Sequence, residues 1–341
     1  MRPYTIVLDH LNGVEAAALL QGGRLQDLFV DGGDHPTPGT IYRAIAERPV
    51  KGQGGMFLRT PDGVAFLRQV KGLAPGQPLI VQVTGYPEPG KAIPVTQKVL
   101  FKSRYAIVTP GAPGLNLSRS IRDEARRDEL QGLARAAELG DGYGLILRSS
   151  CAEAGDDDIA EDIASMAAAA ETIMCDGQGP AEVLTTGDAP HAQAWRDWIY
   201  DADVVTEAGS FANMGVLDQI DALASPEARL DTGGSIWVEP TRALVAVDVN
   251  TGGDTSPAAG LKANLAAVRD LPRQLRLRGL GGQITLDLAP MAKKDRRQFE
   301  TVLRTSFKAD QVETALVGWT PLGHYELQRK RDRIPLNKVI A

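Results

Sequence analysis

Near its start, the chain's apolar positions fall in short runs that a period of two describes better than a helical period. Residues 4–8 predict a strand, residues 14–20 a second strand or a short helix, and residues 25–30 a third strand after the Gly22-Gly23 turn. From 35 to 106 the apolar runs at 40–43, 55–58, 64–67 and 79–84 are separated by Gly and Pro. That punctuation predicts a small β-barrel. The period then lengthens. A basic helix is expected over 118–139, capped by the segment 118–122, followed by a strand at 144–148. Ile159, Ile163, Met166, Ala170 and Ile173 recur at helical spacing and predict an amphipathic helix over 158–175. A loop over 177–190 precedes a helix at 191–198, a strand at 203–206 and a helix at 214–224.

From 235 onward the pattern is α/β. Strands at 235–238 and 244–250 are joined by a hairpin at 239–241. A helix over 262–277, kinked at Pro272, leads to a strand at 283–288, a basic helix at 293–309 and a last strand at 314–318. Strands linked by helices in this way form open sheets that bind ligands at strand ends.

Length bounds the organisation: 341 residues imply two to four modules. No apolar run is long enough to span a bilayer, and Asp9 interrupts the N-terminal run that a signal peptide would need. A cytoplasmic location is therefore expected. Cys151 and Cys175 form no C-x-x-C and have no His at ligand spacing, so reduced thiols and no zinc site are expected.

The net charge of −6 argues against a polyanionic partner, but its distribution argues for one. Residues 151–230 hold 17 acidic and 2 basic residues, whereas residues 261–341 hold 16 basic and 8 acidic. Solvated helix faces would also give this contrast.

Against that background, two apolar strands that end in acids gain meaning. Alternation along 244–250 puts Asp248 and Asn250 on one face, and Asp287 occupies the corresponding late position of the next strand. A lone strand-end Asp is an ordinary cap. Two carboxylates and an amide converging at one sheet edge suit Mg²⁺, which takes one or two carboxylates and keeps several waters. Such an ion activates water and offsets charge on a phosphodiester. Arg273, Arg276 and Arg278 precede the second carboxylate, Lys293, Lys294, Arg296 and Arg297 follow it, and Arg329, Arg331 and Arg333 lie further on. Read as a basic surface, they would neutralise phosphates.

On the barrel, Phe57 and Phe66 lie near Arg59, Arg68, Lys71 and Lys91, a composition suited to base stacking beside a backbone groove. Pattern alone puts the Phe66 ring in the barrel core. Arg148, followed by Ser149 and Ser150, ends a buried-looking strand and has the chemistry to hold a phosphate. A pairing with an acid of the 156–162 run explains it equally well. Trp195 and Trp198 are expected to pack on a core.

The stretch from Gly233 to about Arg333 resembles the catalytic part of the ribonuclease E/G family. The resemblance rests on Gly233-Gly-Ser-Ile, Glu239-Pro-Thr-Arg-Ala-Leu-Val-Ala-Val-Asp-Val-Asn250-Thr-Gly, Asn264-Leu-Ala-Ala, Arg273-Gln-Leu-Arg-Leu-Arg-Gly-Leu-Gly-Gly282 and Ile284-Thr-Leu-Asp287. Weaker similarity covers 22–28, 39–83, 104–110 and 144–149.

The resemblance implies a multi-subdomain α/β fold. Its parts would be a degenerate RNase H-like subdomain (1–34 and 181–230), an inserted and shortened OB-type barrel (35–106), a 5′-phosphate sensor (107–180) and a DNase I-like catalytic subdomain (231–341). It also implies an endoribonuclease cutting single-stranded, 5′-monophosphorylated RNA with Mg²⁺ or Mn²⁺. Asp248 and Asp287 would hold the metal with Asn250 assisting. Arg148 and Ser149 would sense the 5′ end, and Phe57 and Phe66 would stack on bases. Pro290 stands where the family has a further acid. No zinc and no zinc-linked tetramer are expected, which leaves a monomer or a homodimer. The alternatives are an RNA-binding protein that keeps the fold without cutting and, less in keeping with the basic surface, a phosphatase or nucleotidase acting on small substrates.

Overall fold

The computed structural model describes residues 3–50, 52, 54–70 and 72–340, and Lys71 lies outside them. The chain divides into two compact units, one built from 1–32 with 201–341 and the other from 33–200.

The first unit opens with β1 (Tyr4–Leu11), β2 (Val14–Gln21) and β3 (Arg24–Val30), an antiparallel meander. Residues 14–20, ambiguous by pattern, are strand because Ala16, Ala18 and Leu20 pack inward with Val7 and Leu28.

The second unit holds β4 (Ile41–Val50), β5 (Gly55–Thr60), β6 (Gly63–Leu67), β7 (Pro78–Val83) and β8 (Ile93–Thr96). Their order β4-β5-β6-β8-β7 closes through a β7–β4 pairing into a five-stranded barrel around Tyr42, Leu58, Ala65 and Val81. The remainder of this unit is β9 (Phe101–Lys102), β10 (Ala106–Thr109), β11 (Gly114–Leu117), α1 (Glu124–Ala136), β12 (Gly144–Leu147), α2 (Asp156–Cys175), β13 (Glu182–Thr185) and α3 (Pro190–Asp197). The α1 cap is Asp123, whose side chain accepts from the Arg126 amide, rather than the 118–122 segment. Residues 181–200 belong to this unit, since β13 pairs with β4.

The first unit resumes with β14 (Ala202–Val205), which pairs parallel to β1 and completes the order β14-β1-β2-β3. Then come α4 (Ser210–Asn213), α5 (Val216–Ala222), β15 (Glu227–Arg229), β16 (Ser235–Pro240), β17 (Val245–Asn250), α6 (Ala259–Leu277), β18 (Gly282–Asp287), α7 (Arg296–Lys308), β19 (Thr314–Trp319) and β20 (Tyr325–Arg329). The last six strands form one sheet, ordered β15-β16-β17-β18-β20-β19. The β17–β18 pair is parallel and the other pairs are antiparallel. Helix α6 runs continuously through Pro272, and β20 is a strand that the sequence pattern does not reveal.

One face of this sheet is apolar. Ile236, Val238, Val247, Val249, Ile284 and Leu286 join Leu271 and Leu275 of α6 and Phe299 and Leu303 of α7 in a single core. Alternation sends the intervening residues to the opposite, open face. Among the described residues no helix is long and apolar enough to cross a membrane.

Candidate active site

The open face carries the acids. In the parallel β17–β18 pair Asp248 stands directly opposite Asp287, while Val247 and Leu286, one position back, are buried. A one-residue slip would invert both strands, so the core that fixes Val247 and Leu286 also fixes the carboxylates in register. The row continues on both sides. Trp237 of β16 is opposite Asp248, and His324, just before β20, brings Nε2 to 3.6 Å from Asp287 Oδ1. The side chain of Asp287 is 68% exposed.

Neighbouring residues orient the pair. The Asn250 amide donates to Asp248 Oδ2 at 2.7 Å. Beyond Asn250, Gly252 turns the chain with φ +65°, its α-carbon against the Gly233 backbone, an approach that any side chain would block. Asp254 accepts from the Ser256 amide and faces Lys262, which together hold its carboxyl below the usual range.

Past Asp287 the chain is clamped by α6. The buried Asn264 donates through Nδ2 to the Ala289 carbonyl at 2.8 Å and accepts the Ala289 amide at 3.0 Å. Gly260 lets the same helix touch the Pro290 carbonyl. Asn264→Leu would leave both Ala289 groups buried without partners. A stability loss of about 2–4 kcal/mol is expected, together with slower turnover, because Asp287 lies two residues upstream. Thermal unfolding and steady-state kinetics on the same variant check both.

The bases are not where the sequence suggests. Arg273 donates to the Leu25 carbonyl and pairs with Asp270. Arg276 pairs with the fully buried Asp310 and donates to the Gln26 carbonyl. Arg278 is buried, binds the Gln274 side chain and the Ser225 carbonyl, and is lowered to about 10 by burial. Arg329 and Arg333 are likewise interior, on Asp310 and Asp27. All five guanidiniums are engaged by groups within the fold. A local sequence window cannot reveal this, because most of the acids they meet are far along the chain.

Arg296, at the start of α7, lies 4.1 Å over the Trp319 ring and reaches Gly323, the neighbour of His324. Trp319 is itself fixed by Glu300, Phe299 and Tyr325. Among the described residues Arg296 has no carboxylate within ion-pair distance. Lys293, Lys294 and Arg297 are exposed beside it.

In the second unit, Phe57 and Phe66 are cross-strand partners with ring centroids 5.4 Å apart. Both lie outside the barrel. Ala65 and Leu67 occupy the inward positions of β6, so alternation turns Phe66 outward, contrary to the core placement that its apolar run suggests. Arg48 lies 4.9 Å from the Phe57 ring centre, and Lys91 pairs with Glu88.

Arg148 follows β12, with Ser149 exposed beside it. Its guanidinium is already engaged. It donates to the Ser103 and Arg196 carbonyls and pairs at 2.7 Å with Asp197, not with the 156–162 acids. Burial raises the Asp197 carboxyl, but hydrogen bonds and charge from Arg196 and then Arg148 outweigh it and hold the group below its ordinary value. Nearby, Arg104 stacks 4.0 Å over Trp195, which is 64% exposed, while Trp198 is the buried member of that pair.

Asp248, Asp287 and Asn250 offer oxygen donors on an exposed face, which fits a Mg²⁺ ion with few protein ligands. Among the described residues no group of three or more His, Cys, Asp or Glu side chains is arranged to hold a metal, so an all-protein cage does not fit.

Comparison with known proteins bears on the chemistry. The sequence pattern of the Ribonuclease E/G family matches residues 101–206 and 202–332. Ribonuclease E of Nostoc sp. is 28% identical over 93% of this chain and 54% of its own length, so the chain spans about half of that relative. Ribonuclease G of Salmonella typhimurium is 26% identical over 95% of the chain and 79% of its own length. Ribonuclease G of Escherichia coli K12 is 25% identical over the same shares.

Proposed function

The chain belongs to the ribonuclease E/G family, and on that premise we propose that it is a Mg²⁺-dependent endoribonuclease. It would cut single-stranded RNA to 5′-phosphate and 3′-hydroxyl ends, in RNA processing or decay. The observation that carries the reading is the in-register pair Asp248–Asp287 on the open sheet face. These two carboxylates are the residues that would hold the metal, which when bound supplies an activated water and positive charge opposite the phosphodiester. Asn250 keeps the Asp248 carboxylate aimed. Arg296 and His324 offer donors to phosphate oxygens at the same edge. Phe57 and Phe66 stack on bases of the bound strand.

A second reading, RNA binding without cleavage, is favoured by Pro290 and the short barrel and opposed by the retained Asp248, Asn250 and Asp287. A labelled single-stranded RNA incubated with Mg²⁺, with and without chelator, separates the two. Metal-dependent cleavage with 5′-phosphate products is expected. Tight binding with no cleavage in Mg²⁺ would favour the second reading and sink the first.

Arg148 and Ser149 would receive the 5′-monophosphate, which must displace Asp197 from Arg148. Asp197→Ala is therefore expected to raise the preference for 5′-monophosphate over 5′-hydroxyl RNA severalfold, while destabilising the second unit by about 1–3 kcal/mol. Because the Asp197 carboxyl is depressed in the fold, its contribution is complete above the ordinary value of 3.8 and is lost as pH falls below it. The variant should then lose part of the parent's acid destabilisation below that pH. An unchanged preference would leave Arg148 as a structural residue.

A further inference from the structure

Trp237 is the large apolar side chain of the carboxylate row. It lies on the open face of the catalytic sheet, 38% exposed, directly opposite Asp248. Its other cross-strand neighbour is Glu227, so the indole sits between two acids rather than within an apolar cluster. The flanking residues Ile236 and Val238 point the other way and are buried in the core, which fixes the orientation of Trp237.

The other three indoles are accounted for. Trp195 lies under Arg104, Trp198 is buried, and Trp319 contacts Phe299, Tyr325, Arg296 and Glu300. Among the described residues the Trp237 indole has neither a ring partner nor a hydrogen-bond partner. A Trp held rigidly by its strand, with an open face, presents a broad surface for a planar aromatic group at little entropic cost.

We infer that Trp237 is a stacking platform for the nucleobase next to the scissile phosphate of a single-stranded RNA. The inference rests on the endoribonuclease reading above. Adjacent strands are separated by about 5 Å. A base on Trp237 would therefore set its own phosphate over Asp248 and Asp287. Cross-strand residues on one face are near neighbours, so no rearrangement is needed to bring base and phosphate to their places together. Stacking is tolerant of base identity, which suits an enzyme that must seat unpaired strands. A duplex would keep its bases stacked on one another and offer none to the indole.

The test uses the full chain with Asp287→Asn to block cleavage, titrated with a single-stranded RNA decamer while tryptophan emission is read. Quenching is expected, most of it lost in Trp237→Phe but kept in Trp195→Phe. Trp237→Ala should bind about tenfold more weakly and Trp237→Phe within about threefold of the parent, because the phenyl ring still stacks. In chains that retain Asp287, Trp237→Ala should raise KM more than it lowers kcat. Quenching that follows Trp195 instead, or Trp237→Ala binding and cutting like the parent, would overturn the inference and leave the endoribonuclease reading intact. Quenching through Trp237 in a chain that retains Asp287 and binds but never cuts would sink the cleavage reading, and with it the placement beside a scissile phosphate, while leaving Trp237 as a base-stacking residue. Absence of RNA binding by the parent would overturn both.

Discussion

Asp287→Asn and Asp248→Asn are each expected to slow RNA cleavage at least about a hundredfold while leaving thermal unfolding unchanged. The activity loss follows from charge: removing one group that stabilises a transition state typically costs 10²–10³ in rate, and Asp248 and Asp287 are the in-register carboxylate pair of this site. The unchanged stability follows from exposure. Both side chains lie on the open face, Asp287 is 68% exposed, and Asn is nearly isosteric. The two positions should differ in one respect. Asp248 accepts the Asn250 amide, which an Asn at 248 can still do through its carbonyl oxygen, so local order survives there. Among the described residues the Asp287 side chain has the 3.6 Å His324 contact to lose. Rates on a single-stranded RNA with Mg²⁺, together with melting curves, check both statements. A variant that cuts within threefold of the parent would remove that carboxylate from the site.

Much of that site was legible in the sequence because it depends on local alternation. Val247 and Val249 mark one face of β17 and Asp248 and Asn250 the other, and Ile284 and Leu286 do the same for Asp287. The strand pairing then brings the two acids into register. His324 was illegible because the segment leading into β20 is a polar run whose strand character comes from pairing with β18 and β19. Trp237 was legible as a strand residue but not as an exposed one. The surroundings of the arginines were illegible for a third reason. Burial of a guanidinium depends on a carboxylate brought from elsewhere. Asp27 meets Arg333 from the far end of the chain, and Asp310 meets Arg276 from another helix terminus. A basic sequence segment therefore reads as a surface whether or not it becomes one. The barrel shows the converse, since alternation alone, once Ala65 and Leu67 are recognised as inward, turns Phe66 out.

The buried arginines lead to the largest expected stability effect. The Asp310 side chain is fully buried between Arg276 of α6 and Arg329 of β20, and the Arg329 side chain is itself 1% exposed. Arg276 also reaches the Gln26 carbonyl and lies 3.7 Å from Asp27, which Arg333 holds through two nitrogens. One ionic network thus ties β3, from the start of the chain, to α6 and β20 near its end. Asp310→Asn keeps the shape but takes the counter-charge from the buried Arg329 guanidinium and leaves the partly buried Arg276 with only the longer contact to Asp27. Breaking a buried pair from one side costs about 3–5 kcal/mol, so the melting transition of this unit should fall by on the order of 10 °C. Replacing the whole group, Arg276→Met with Asp310→Leu and Arg329→Met, should recover most of that loss, because no buried charge is then left unpaired. If the triple variant melts no higher than Asp310→Asn, the network contributes through its specific hydrogen bonds rather than through charge compensation. The comparison also bears on catalysis. Helix α6 carries Asn264, which clamps the segment after Asp287, so slippage of α6 against β3 should appear as lost turnover in Asp310→Asn even at temperatures where the protein remains folded.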